Sequence, residues 1–293
     1  PVDCALGQTC HIQQYVDTDP GADATDHTCG TLSYNTHKGT DFALPSLAAM
    51  QAGVNVLAAA SGSILGIRDN MPDTGLTDAT AGTIKGRECG NGVAIEHGDG
   101  WVTQYCHMKR GSITVRPDQI VTPGTILGEV GLSGASQFPH VHLSVRHNDR
   151  VIDPFAPNAT TCGTPQSPLW HEPIAYAPAG IIAAGFSDRI PQYDSIKSGT
   201  ANIPITRNSP ALVMWAYVFG GQADDQVKIS VSGPNDITIT RTQILEKTQA
   251  QLFRASGKKA PSTGWPVGPY IGVIELWRDD VLLDQRHGEF LID

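Results

Sequence analysis

No stretch of this chain approaches the roughly 20 consecutive apolar residues that a membrane-crossing helix needs, so no transmembrane segment is expected. The opening residues Pro1–Val2–Asp3 include neither a start methionine nor a basic-then-apolar leader, which reads as a processed mature form. Basic residues are the scarcer charge, with 20 Lys and Arg against 29 Asp and Glu and a formal net charge of -9. They form no run, and this argues against a nucleic-acid partner gripped through its phosphates. No two cysteines stand at Cys-x-x-Cys spacing, so a cysteine-ligated zinc module is not indicated. The cysteines present, Cys4, Cys10, Cys29, Cys89, Cys106 and Cys162, are even in number and favour disulfides formed in an oxidising compartment. Proximity suggests Cys4 with Cys10, and the flanking of two neighbouring strands suggests Cys89 with Cys106.

Glycine and proline are plentiful: 31 Gly and 20 Pro beside 40% hydrophobic residues describe a turn-rich globular protein of β character. A length of 293 residues exceeds the usual single domain and suggests two. Residues 1–33 form a polar, cysteine-pinned segment without clear periodicity. Two short strands around a Ser-Gly turn are expected over 53–68, and 69–87, rich in Asp, Thr and Gly, reads as a long surface loop of the kind that often borders a binding site. The runs at 92–97 and 101–108 flank Gly98–Asp99–Gly100, a strong hairpin signal. On its second arm Tyr105 and His107, two residues apart, are expected to share a face.

The segment Phe138–Pro139–His140–Val141–His142–Leu143–Ser144–Val145–Arg146 alternates apolar and polar positions, as a strand does, so His140 and His142 project to one side. Each imidazole is a potential zinc ligand or proton carrier. Upstream, His37 and Asp41 stand four apart on a stretch where Gly39 and Pro45 disfavour helix; a bend at Gly39 could bring both toward one metal, although this spacing alone more often marks a solvent-facing pair. His11, His27, His97, His147, His171 and His287 have no partner at ligand spacing.

Taken in order, HKGTD at 37–41, VLAAASGSILG at 56–66, GNGVAIEHGDGWVTQYCHM at 90–108, VTPGTILGEVGLSG at 121–134 and PHVHLSVR at 139–146 resemble the lysostaphin/LytM-type zinc metalloendopeptidases of peptidase family M23. The resemblance covers residues 34–155. It implies an antiparallel β-sheet catalytic domain and a peptidoglycan hydrolase that cuts peptide bonds in stem peptides or cross-bridges. It also implies one Zn2+ per chain held by His37, Asp41 and His142, with His107 and His140 lining the catalytic pocket. Cys106 stands where the family usually has a small residue. Two imidazoles and a carboxylate are a ligand set typical of hydrolytic zinc, with a fourth position left for water. His140 is then placed to carry a proton, and His107 to hydrogen-bond the attacking water or the developing oxyanion, the two roles being left open between them. Tyr105 is a possible further helper.

Six prolines between Pro154 and Gly180 mark 156–180 as a linker. Alternating stretches at 211–219, 226–231, 236–240, 270–277 and 281–283 then suggest an immunoglobulin-like β-sandwich over 181–293, without a metal or nucleophile constellation. The whole chain is thus expected to be all-β, monomeric, and periplasmic or secreted from a bacterium, with peptidoglycan as its partner. Two other functions compete: a catalytically silent LytM-like binding or activator protein of cell-wall hydrolases, and a secreted protease acting on glycine-rich proteins. Retention of all five site residues counts against the first.

Overall fold

The computed structural model describes residues 1–293, and the chain divides into two compact units, Pro1–Tyr176 and Ala177–Asp293. The first holds strands β1 (His11–Gln14), β2 (Thr40–Ala43), β3 (Asn55–Leu57), β4 (Gly62–Arg68), β5 (Asn91–Gly98), β6 (Trp101–Met108), β7 (Ile120–Val121), β8 (Ile126–Glu129), β9 (His140–His147) and β10 (Arg150–Ile152). Helix is confined there to α1 (Leu47–Ala52) and α2 (Ala81–Ile84). The main sheet runs β1-β2-β9-β6-β5-β4-β7, with β10 folded back on β9 and every pairing antiparallel.

The hairpin at its centre forms where the sequence placed it. Asp99 and Gly100 at φ 49° and 79° supply the two left-handed residues that let a two-residue turn follow the twist of its strands. Apolar positions of β2, β5, β6 and β9, among them Phe42, Val93, Ile95, Tyr105, Val141 and Leu143, are buried. The strands at 55–57 and 62–68 do not pair with each other as the Ser-Gly turn suggested. β3 pairs with β8, while β4 lies between β5 and β7, so the turn passes the chain from one sheet to another.

The N-terminal segment contributes β1 to the edge of the main sheet, and Cys4–Cys10, Cys89–Cys106 and Cys29–Cys162 are all bonded. The last of these ties positions 133 residues apart, joining the N-terminal segment to the proline-rich stretch. Asp26 adds to that junction: its carboxylate accepts from Thr28, Gly30 and the Tyr176 hydroxyl.

Beside Asp26, Asp153 is buried among Tyr15, His27 and Phe155, and burial first, then the nearby Asp26 charge, pushes its carboxyl up to about 6. The folded state therefore binds a proton that the unfolded chain releases near its ordinary value. The Asp153 contribution is fully present below pH 4 and is lost as pH rises through 6. Asp153→Asn retains the acceptor for the Phe155 N–H. It is expected to stabilise this unit by about 3 kcal/mol at pH 8 and to leave it unchanged at pH 4. Urea melts of the two chains at both pH values check this; an equal gain at both would contradict the linkage.

The second unit has β11 (Gly180–Ser187), α3 (Tyr193–Ser198), β12 (Ala211–Gly221), β13 (Gln226–Gly233), β14 (Ile237–Ile244), β15 (Gln249–Lys259), β16 (Gly268–Arg278) and β17 (Val281–Ile292). They form a three-stranded sheet β11-β12-β15 and a four-stranded sheet β14-β13-β16-β17, the 3+4 arrangement of an immunoglobulin-like sandwich. Its core takes alternate residues of both sheets, including Leu212, Met214, Val227, Ile229, Ile274 and Leu276. Tyr270, near the start of β16, sends its hydroxyl back to the Pro266 carbonyl at 3.0 Å, the tyrosine corner that many such sandwiches carry.

Candidate metal centre

Asp41 on β2 lies directly opposite His142 on β9, so the two side chains leave the same face of the sheet, and His140, two residues before His142, joins them. His37 lies three residues before β2. Its backbone is held from both sides, its N–H donating to Tyr34 and its carbonyl accepting from Asp17. The result is a triangle of ligand atoms. His37 Nε2 is 3.2 Å from Asp41 Oδ1 and 3.1 Å from His142 Nδ1, and His142 Nδ1 is 2.8 Å from Asp41 Oδ1. Ligands about 2.0–2.1 Å from a tetrahedral zinc stand roughly 3.3 Å apart, close to one face of this arrangement.

Orientation is imposed by neighbours. His37 Nδ1–H donates to the Tyr15 carbonyl at 2.6 Å, which leaves Nε2 with its lone pair toward the cluster, the usual support for a metal-binding imidazole. Gly39 gives the His142 ring its room: a Cβ there would sit 2.5 Å from His142 Nε2. Tyr34, 55% exposed, lays its ring 4.5 Å from that of His37 at the rim.

His107 and His140 stand beside this triangle with ring centroids 4.7 Å apart. His140 Nδ1–H donates to the Phe138 carbonyl at 2.9 Å, with Ser136 Oγ also within 3.0 Å, so its Nε2 faces inward, 3.6 Å from Asp41 Oδ1. His107 Nδ1–H donates to the Ser133 carbonyl at 2.8 Å, which leaves its Nε2 unprotonated.

The charges are strongly coupled. Burial would raise the Asp41 carboxyl, yet His140 and His37 beside it and hydrogen bonds from His142 and His37 hold it well below the usual carboxylate range. Burial pushes His37 down, but the Asp41 carboxylate outweighs it and holds the imidazole above its ordinary value. Burial, then the neighbouring His140 and His142, presses His107 down to about 3, and burial also lowers His140 despite Asp41. An ionised carboxylate and neutral imidazoles are the protonation states that a divalent cation selects.

Tyr105 does not share this face. The β5–β6 register shifts between Asn91 and Val93, opposite the end of β6, and His107 adopts φ 63°, so strict alternation fails there. The Tyr105 side chain is fully buried, its hydroxyl accepting from the Ala59 N–H at 2.8 Å. Sequence reasoning also missed Tyr15, Ser133 and Phe138, which act through backbone carbonyls that any residue type carries. Gly39 is the exception. It lies within the HKGTD motif and had a legible signal.

Residues 35–154 match the model of peptidase family M23. Over 126 residues the chain is 31% identical to the DD-carboxypeptidase/endopeptidase Mpg of Neisseria meningitidis serogroup B, covering 42% of this chain and 23% of that protein. It is 38% identical over 68 residues to the cell division protein DipM of Caulobacter vibrioides, covering 23% and 11%. It is 29% identical over 122 residues to the peptidoglycan DD-endopeptidase ShyA of Vibrio cholerae serotype O1, covering 42% and 23%. The chain spans less than a quarter of the length of these curated relatives. The stretch 35–154 is thus the part of the chain that matches peptidase family M23.

Proposed function

We propose that the first unit is a zinc-dependent endopeptidase that hydrolyses peptide bonds in the stem peptides or cross-bridges of bacterial peptidoglycan, in the periplasm or outside the cell. The observation that carries the reading is the convergence of His37 Nε2, Asp41 Oδ1 and His142 Nδ1 on one point, with two further imidazoles beside them. These three residues would hold one Zn2+, which supplies a Lewis acid and lowers the pKa of water toward about 7. His140 and His107, each fixed through Nδ1 to a backbone carbonyl, present Nε2 as the proton-carrying and hydrogen-bonding atom. With Nδ1–H engaged, each offers an unprotonated Nε2 that accepts a proton as the nucleophile forms and returns it to the leaving amine. Three disulfides with no free cysteine suit an oxidising compartment, and the name of the relative ShyA supports the choice of substrate. The β-sandwich serves as a binding, positioning or stabilising module.

Mass spectrometry of purified sacculi digested by the full chain is the test. Metal-dependent release of muropeptides cut at a peptide bond is expected, and their masses name the bond. Release that persists unchanged after complete zinc removal would refute the metal's role. Intact sacculi with the zinc-loaded chain would refute the substrate.

A further inference from the structure

The backbone of His107 is in the left-handed region, at φ 63°, where a residue with a side chain is strained. Something must hold it there. The His107 N–H donates to the Cys89 carbonyl at 2.8 Å, and the Sγ of Cys89 is bonded to Cys106, the residue immediately before His107. Its ring is held separately, by the Ser133 carbonyl.

The loops that supply these two carbonyls are locked together. Ser133 Oγ accepts from the Asn91 N–H at 2.8 Å and donates to the Met108 carbonyl at 2.7 Å, and the Ala135 N–H donates to the Glu88 carbonyl at 2.8 Å. Gly90 lies at the contact, with φ 66° and space for no Cβ, since one would come 2.5 Å from the Ser133 carbonyl. Resting on the peptidase reading above, we infer that the Cys89–Cys106 disulfide positions His107: it staples residues 88–91 to the end of β6 and so keeps the His107 imidazole turned toward the cluster. Cys89 and Cys106 touch neither substrate nor metal in this role.

The metal ligands are held by other means. His37 depends on Tyr15, Tyr34 and Asp17, Asp41 is fixed by the β2–β9 pairing, and His142, whose backbone lies between Asp41 on β2 and Cys106 on β6, keeps both backbone pairings when only the sulfurs are removed. Loss of the disulfide therefore separates positioning from metal binding. With the staple gone, only hydrogen bonds oppose the relaxation of His107 to an extended φ, which swings its ring away from the cluster.

The test is the Cys89→Ala/Cys106→Ala double variant of the full chain, with Cys89→Ser/Cys106→Ser as the closer isostere should the first fold poorly. We expect zinc stoichiometry to be unchanged, kcat to fall about 10–100-fold and KM to stay within about twofold, as for a misplaced catalytic group. In a His107→Ala background the same pair of changes should cost no further kcat, because the disulfide acts through His107. An additive loss there, or full kcat without the disulfide, overturns the inference. Backbone NMR couplings that report φ give a readout independent of turnover: His107 should leave its left-handed value in the double variant, and an unchanged value also overturns the inference. A chain that never cleaves muropeptides but shows the φ change refutes the peptidase reading and leaves the positioning standing.

Discussion

Replacing His142 by alanine is expected to abolish zinc retention and lower turnover by about 10³–10⁴-fold while both units stay folded. His142 provides one of three ligand atoms, and a cation held by His37 and Asp41 alone keeps only two protein contacts. The metal's share of transition-state stabilisation is several kcal/mol, and each 1.36 kcal/mol is a factor of about ten, which gives the expected loss. Folding should survive because His142 is the most accessible of the three ligands. Its side chain is 16% exposed, against 1% for His37 and 4% for Asp41. Asp41 also keeps His37 and His140 as neighbours, so its charge is not left alone in the interior. Asp41→Ala should cost as much turnover and more stability, since it leaves His37 and His140 without the charge they face. Metal content after exhaustive dialysis, circular dichroism and muropeptide hydrolysis are the measurements. A His142→Ala chain that keeps stoichiometric zinc and full turnover would remove His142 from the ligand set.

The parts of this site that were legible in the sequence are those where side-chain chemistry coincides with a backbone period. His140 and His142 alternate on a strand, and Gly39 lets the stretch containing His37 and Asp41 pass close to His142. The hairpin carrying His107 is announced by Asp99 and Gly100, whereas β12, expected to alternate over 211–219, is buried at every position after Ala211. Illegible parts follow from the same logic. All four residues of β1 are buried, so it shows no alternation, and its contribution to the site is the adjoining Tyr15 carbonyl, which no residue type advertises. β15 reads Gln249–Ala250–Gln251–Leu252–Phe253–Arg254–Ala255–Ser256–Gly257–Lys258–Lys259, short on β-branched residues, and is a strand because it lies along β12 over its length. The bulge that turns His107 away from the Tyr105 face depends on register, a property of two strands together. The Cys29–Cys162 bond spans too much chain for local reasoning, whereas Cys4–Cys10 and Cys89–Cys106 join residues close in sequence or on neighbouring strands.

His140→Ala and His107→Ala are each expected to keep zinc and lose about 10²–10⁴-fold in turnover, the range for removing a general acid or base. Neither ring belongs to the three-atom triangle, and each is held through Nδ1 by a carbonyl that remains in place after the substitution. The two losses should not multiply. The rings are 4.7 Å apart and serve one proton inventory, so the double variant should fall only slightly below the worse single variant. The stabilities should separate them further. His107 is buried and neutral with a left-handed backbone, so His107→Gly, which relieves the φ penalty, should be more stable than His107→Ala by about 1 kcal/mol. His140 at φ outside that region gives no such difference. Full turnover in His140→Ala would remove its proton-carrying role. Loss of zinc in the same variant would instead make His140 a fourth ligand, a position for which its Nε2, 3.6 Å from Asp41 Oδ1, is already close enough.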